Sequence, residues 1–310
     1  MKIVFMGTPH AAVASLSRAM LDGHDVVAVY TQPDKPAGRG NKILFSPVKR
    51  FATDHELPIF QPGKIKTPEA LKQFRAHGAD VAVVVAYGRI LPETFLNAFP
   101  MGAINLHFSL LPKYRGAAPV NWAIVHGDTT TGVTTMQMDA GLDTGPVLMQ
   151  RETEIDENET STELMQRLSL LGADLLSETL AGYKTLTPQK QNEANASFAP
   201  LMKKEDGLIS WMLGAKEISN RVRGFQPYPT AFTFLRGKKL TIWRSMVVEE
   251  PHNESQPGEI IEAAADRLVV FCGGDSVLKV DELQLEGKRR VSARDFINGV
   301  RLQVGEMLGG

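Results

Sequence analysis

Residues 80–107 read DVAVVVAYGRILPETFLNAFPMGAINLH. Two short apolar runs, 80–86 and 102–107, flank an amphipathic stretch. Each run is too short for a globular helix, and the first is too continuous for a strand with one wet face. They predict strands buried on both faces, with a helix between them. The same alternation extends in both directions, with further strands predicted at 2–6, 25–30 and 132–138. The first 150 residues or so therefore predict an α/β domain, a mostly parallel sheet covered by helices.

Helix starts are legible in local chemistry. Ser46-Pro47 and Thr67-Pro68 each place a side-chain oxygen at a cap and a ring-fixed φ at the first helical position. Thr160 and Glu163 have the spacing of a capping box, and Leu164, Leu168, Leu171 and Leu175 then repeat as one stripe, which core packing explains.

The pattern changes near residue 189. The stretch QKQNEANASFAPLMKKED, residues 189–206, is polar, weakly periodic and interrupted by Pro200. It divides the chain into a first domain at 1–189, a linker at 190–205 and a second domain at 206–310. The second domain opens on a predicted helix at 215–223, continues with short strands at 231–235, 240–246, 259–263, 267–272 and 276–285, and ends on a capped helix at 292–300. Strands of this length with turns such as Arg236-Gly237 and Gly273-Gly274 predict a small OB-like β-barrel.

Composition limits the function classes. With 34 Lys plus Arg against 35 Asp plus Glu, the chain carries no overall attraction for a polyanion, so any nucleic acid must meet local patches. Basic residues bunch in the second domain at Arg221 and Arg223, at Arg236, Lys238 and Lys239, and at Lys288, Arg289 and Arg290. Such bunches serve a phosphate backbone or simply a solvated face. A single cysteine, Cys272, leaves no internal disulfide and no Cys-rich zinc site. No apolar stretch has membrane-spanning length and no signal-peptide core is present, so a cytoplasmic protein is expected.

Three segments carry chemistry. In GAINLHFSLLPKYRG, residues 102–116, a strand at 104–108 projects Asn105 and His107 from one face and Ile104 and Leu106 from the other. An amide and an imidazole on one side of an apolar strand are costly to bury without a partner. Together they can donate to a developing oxyanion and exchange a proton near neutral pH. In MDAGLDTGP, residues 138–146, Asp139 and Asp143 sit among glycines directly after a strand. Either could orient a histidine, or simply form a turn, and one of the two is expected to face the reaction centre. In QPDKPAGRGNK, residues 32–42, Lys35, Arg39 and Lys42 lie on a loop with little to anchor it, suited to an anionic ligand or to none. Gly7-Thr8-Pro9 ends the first strand without the spacing of a dinucleotide or triphosphate loop, and no residue spacing suggests a metal site.

Several of these segments in one order resemble a known family. They are Phe5-x-Gly7-Thr8-Pro9, Thr31-Gln32-Pro33-Asp34, Pro36-Ala37-Gly38-Arg39-Gly40, Val85-Ala86-Tyr87-Gly88, Asn105-Leu106-His107-x-Ser109-Leu110-Leu111-Pro112, Tyr114-Arg115-Gly116-Ala117-Ala118-Pro119 and Gly141-Leu142-Asp143-Thr144-Gly145. Over essentially its full length the chain resembles the methionyl-tRNA formyltransferase family, and its N-terminal part is similar to the wider folate-dependent formyltransferases. The resemblance implies a Rossmann-like formyltransferase domain followed by a tRNA-binding barrel. It also implies transfer of the formyl group of 10-formyltetrahydrofolate, a co-substrate, to initiator methionyl-tRNA by a monomer. Carried over by position, it implies a catalytic trio of Asn105, His107 and Asp143. Folate contacts fall on Ser109, Leu110, Leu111 and Pro112 with Val85, Ala86, Tyr87 and Gly88, and tRNA contacts on Lys35, Arg39 and Lys42. An amino-sugar nucleotide as acceptor, and an RNA-binding module without activity, are the alternatives. The family departs here at His10-Ala11 and Phe108, beside Gly7 and His107 respectively.

Overall fold

Every side chain of the strand Val81–Val85 is buried, which requires cover on both faces of the sheet that holds it. The computed structural model describes residues 1–37, 42–249 and 255–309. In chain order the first elements are β1 (Lys2–Gly7), α1 (Val13–Leu21), β2 (Asp25–Tyr30), β3 (Lys35–Ala37), β4 (Lys42–Leu44), α2 (Pro47–Asp54), β5 (Ile59–Phe60), α3 (Pro68–Ala76), β6 (Val81–Val85), α4 (Glu93–Leu96) and β7 (Ala103–His107). Then come β8 (Arg115–Gly116), α5 (Pro119–Val125), β9 (Thr130–Gln137), β10 (Val147–Glu154), α6 (Ser161–Gly182) and β11 (Phe198–Ala199).

The main sheet runs β10-β9-β7-β6-β1-β2-β5. From β7 to β5 all neighbours are parallel, while β9 and β10 add antiparallel pairs at one edge. The predicted strands are all present. Two strands of this sheet escaped prediction for identifiable reasons: β5 has only two residues, and β10 alternates wet and dry positions with Arg151, Glu152 and Glu154, the charged pattern of an edge.

The caps form as expected. Ser46 Oγ accepts the Lys49 N–H at 3.1 Å and Thr67 Oγ1 the Ala70 N–H at 3.2 Å. Thr160 and Glu163 exchange both capping-box bonds, and Leu164, Leu168 and Leu175 are fully buried below them. At the end of β1, a Cβ on Gly7 would lie 2.8 Å from Ala12 Cβ and 3.0 Å from the Val85 carbonyl, so close packing alone explains that glycine.

The chain divides into two compact units, the first comprising 1–119, 130–154 and 165–199 and the second 120–129, 155–164 and 200–310. In the second unit, α7 (Ala215–Gly224) precedes β12 (Ala231–Leu235), β13 (Lys238–Val248), β14 (Ile260–Ala264), β15 (Arg267–Cys272), β16 (Ser276–Leu285) and β17 (Val291–Ser292), and α8 (Ala293–Val300) follows. The strands form an antiparallel sheet in the order β12-β13-β16-β15-β14, with β17 on β16. Its edge strands are tied by the segment 305–309: Leu308 and Gly309 donate to the carbonyls of Gly258 and Phe234, at 2.8 and 2.9 Å, and Ile260 donates to Glu306 at 2.9 Å. Ring closure thus runs through this segment. The core inside joins Ile218 and Val222 of α7 to Leu240, Ile242, Leu278 and Val280 of the sheet.

Candidate active site

The strand β7 places the site. Its neighbours β6 and β9 pair with Asn105 through Val84 and Met136. Leu106 points to the α6 face, where a methyl on Gly172 would come within 2.8 Å of its Cδ2. Pleating therefore turns Asn105 and His107 together toward the other face, where they are 8% and 6% exposed. His107 Nε2 lies 2.9 Å from the Tyr114 carbonyl, which only accepts, so Nε2 carries the hydrogen and the ring is fixed by that bond. Nδ1 is the nitrogen turned toward Asp143, 3.7 Å from its Oδ2.

The two aspartates of the glycine-rich segment have separate partners. Asp139 Oδ1 accepts from Gly141 N–H at 3.0 Å and Thr144 Oγ1 at 2.7 Å, closing its own turn. Asp143, at φ 54°, points its carboxylate the other way and accepts the Gly116 N–H at 2.8 Å. The structure brings Asn105, His107 and Asp143 to one end of the sheet, with main-chain groups of 114 and 116 aligning the imidazole and the carboxylate.

A glutamine that sequence reading assigned to a linker takes part in this arrangement. Gln191 Nε2 donates to the carbonyls of Asp143 and Gly145, at 2.8 and 2.7 Å, and its Oε1 accepts from Arg115. Residues 197–199 of the same stretch hydrogen-bond along 112–118, and β11 pairs in parallel with β8. No motif marks these residues; their partners lie far away in sequence.

The two segments expected to meet folate continue from the carboxyl ends of the adjacent parallel strands β6 and β7, where ligands bind in such sheets. Thr134 fixes the second: its Oγ1 donates to the Ser109 carbonyl at 2.6 Å and accepts the Leu111 N–H at 3.1 Å. Gln150 adds a bond to the Leu111 carbonyl at 2.8 Å. Val85, Tyr87, Ser109 and Leu111 are buried, Leu110 and Pro112 half-buried, and Ala86 and Gly88 exposed. Burial pushes the Tyr87 phenol above its usual range, with Arg89 opposing.

Of the residues expected to meet tRNA, Arg39 lies outside the described residues. Lys35 and Lys42 belong to β3 and β4, which pair antiparallel. Asp34 anchors the base of this hairpin by accepting from Lys49 Nζ and, at 2.9 Å, from Gln61 Nε2. The Lys49 hydrogen bond holds its carboxyl below the usual range, against a smaller effect of burial. In the second unit Arg223 departs from the basic bunch expected of it. It is buried and donates to the carbonyls of Asp156 and Glu159 and to Asn220. Lys288 and Arg289 are exposed. Among the described residues no group of three His, Cys, Asp or Glu side chains could hold a metal, and no helix is long and apolar enough to cross a membrane.

The formyl transferase family model matches residues 1–180, and the model of the formyl transferase C-terminal domain matches residues 201–301. Methionyl-tRNA formyltransferases of Geobacter metallireducens and Solibacter usitatus are 49% and 48% identical, each aligned over 100% of this chain and 99% of the relative. Among solved structures, a sugar 3N-formyl transferase crystallised with dTDP and 5-N-formyl-THF shares the fold at TM-score 0.65 and 21% identity, covering 93% of this chain and 99% of the other. An N-formyltransferase from Helicobacter canadensis, in complex with folinic acid and dTDP-3-aminofucose, does so at TM-score 0.65 and 19% identity, covering 90% and 98%. With a relative matched from end to end at nearly half identity, and both halves of the chain recognised in order, the chain belongs to the methionyl-tRNA formyltransferase family.

Proposed function

We propose that this chain transfers the formyl group of 10-formyltetrahydrofolate to the free α-amino group of methionyl-tRNA, with the initiator form as acceptor, and that Asn105, His107 and Asp143 carry the chemistry. The observation behind this assignment of roles is the shared face of Asn105 and His107 with the Asp143 carboxylate 3.7 Å from Nδ1. Residues 1–189 form the catalytic domain in this reading, 190–205 a linker whose residues 190–199 belong to the first compact unit, and 206–310 the tRNA-binding domain of a cytoplasmic monomer. Support for the folate comes from the shared fold of formyl transferases crystallised with folate derivatives.

The acceptor amine titrates near 8, so an appreciable fraction is neutral and nucleophilic at physiological pH. Its attack forms a C–N bond and sends the carbonyl electron pair to oxygen. The Asn105 amide faces that oxygen and stabilises its charge, and the imidazole of His107 adds to this once its Nδ1 has taken up a proton. His107, with Nε2–H held by Tyr114, has Nδ1 left to accept the proton that the new ammonium loses. Asp143 balances the positive ring that results. Breakage of the bond to folate N10, with a proton delivered to that nitrogen, completes the exchange. Ser109 to Pro112 and Val85 to Gly88 line the folate, and Lys35, Arg39 and Lys42 meet the acceptor end of the tRNA.

The test supplies 10-formyltetrahydrofolate labelled in the formyl carbon together with initiator methionyl-tRNA, elongator methionyl-tRNA or a nucleotide-linked amino sugar. Label in the initiator aminoacyl ester, with acceptor binding that weakens steeply as salt rises, is the expected result. Label in the amino sugar alone, or in none, overturns the reading.

A further inference from the structure

We infer that Gln191 is a positioning residue for Asp143, acting together with Arg115; the inference rests on the role proposed for Asp143 above. Asp143 has φ 54°, in the left-handed region, which Asp enters more readily than most residues but still at some cost. Gln191 holds the turn in that form from outside. It is 6% exposed, and its amide uses its full bonding capacity. Nε2 donates to the carbonyl of Asp143 at 2.8 Å and to that of Gly145 at 2.7 Å, spanning the turn that carries the carboxylate. Oε1 accepts from Arg115 Nε at 3.1 Å and Nη2 at 2.8 Å.

The direction of the amide is fixed by its partners. A guanidinium only donates and a carbonyl only accepts, so a flipped Gln191 would face donors with donors and acceptors with acceptors. Arg115 is itself 2% exposed and is held by both carboxylate oxygens of Glu193, each at 2.8 Å. The residue after Arg115 is Gly116, whose N–H binds the Asp143 carboxylate at 2.8 Å. Asp143 is thus gripped at its carbonyl through Gln191 and at its carboxylate by Gly116, and both grips trace back to residues 115 and 116. A shift in Gln191 therefore moves the carboxylate relative to His107.

The test compares Q191E, Q191M, D143N and the double variant Q191E/D143N with the wild-type chain in the labelled transfer assay, with thermal melts alongside. Q191E keeps oxygen acceptors for Arg115 but loses both donors and sets a carboxylate oxygen against two carbonyls. Q191M keeps the volume and loses every polar contact. The expected result is a fall in kcat of about tenfold to a hundredfold in both variants, as for a reacting group displaced by about an ångström, with KM for either substrate changed less than about twofold. Q191E, which leaves two buried carbonyls facing a carboxylate, should fold but melt below the wild type. In the D143N background it should add no further loss, because both changes act on one carboxylate. A kcat within about twofold of wild type in whichever glutamine variant folds, or losses that multiply in the double variant, overturns the positioning role. Failure of the wild type to transfer label overturns the proposed function instead.

Discussion

His107 Nδ1 and Asp143 Oδ2 stand 3.7 Å apart, beyond hydrogen-bond length, and each side chain is fixed by a different main-chain group. The imidazole is held by the Tyr114 carbonyl and the carboxylate by the Gly116 N–H. The pair is therefore aligned by the chain segment between them and not by a direct bond. Such a carboxylate acts on the ring through charge across a short gap, in a buried setting where water screens it weakly.

Asn105 presents an amide with no protein hydrogen bond among the described residues, on the face it shares with His107. Loss of one well-placed oxyanion donor costs roughly 3 kcal/mol, about a hundredfold in rate. N105A should bind folate and methionyl-tRNA with near-normal affinity and turn over about a hundred times more slowly. Steady-state kinetics with equilibrium binding measurements check this; near-normal kcat would remove Asn105 from the chemistry.

Gly116 lies at φ 123°, and a Cβ there would stand 2.7 Å from the Ala199 carbonyl. G116A must strain the backbone or push residue 199 away, at a cost of roughly 1–3 kcal/mol. Because the same residue's N–H holds Asp143, turnover should fall together with melting temperature. Calorimetry and the transfer assay on one preparation test the link, and a stable variant with full activity would break it.

The carboxyl of Asp34 is depressed, chiefly by its hydrogen bond from Lys49. A depressed acid adds stability above its unfolded pKa, about 3.9, and that contribution disappears as pH falls through the lower folded value. D34N should therefore melt below the wild type at neutral pH, with the gap closing as the pH drops under about 4. Melting curves across that range give the comparison; a gap that widens in acid would contradict the Lys49 pairing.

Burial pushes the Cys272 thiol up to about 12. Since the thiolate is the reactive form, a disulfide reagent at pH 8 should label the native chain very slowly and the denatured chain at once. Rapid labelling of folded protein, followed by absorbance, would show that the strand holding Cys272 opens readily.

Much of this layout could be read from residue order. A continuous valine and alanine run announced β6 because a strand covered on both faces admits little else. Ser46, Thr67 and Thr160 announced helix starts because their oxygens reach only a few residues along. Features made by distant partners were not legible. Residue spacing alone could not divide the duties of Asp139 and Asp143, since four residues do not say where a turn faces; only the family resemblance pointed to Asp143. The sequence grouped Arg223 with exposed cations, although Asp156, Glu159 and Asn220 draw it inward. Gln191 carried no mark at all, because its partners at 115, 143 and 145 meet it only after folding.

The anchors of His107 and Asp143 at 114 and 116 are peptide groups, and at 114, unlike at Gly116, such a group does not depend on which side chain the residue carries. Point changes at Tyr114 can thus accumulate without unhooking the imidazole, provided the path of the chain is kept. A one-residue insertion or deletion between 107 and 116 has no such tolerance: it puts both anchors out of step with the strand that carries His107. Over time this stretch, Gly116 apart, can drift in spelling while its length stays fixed.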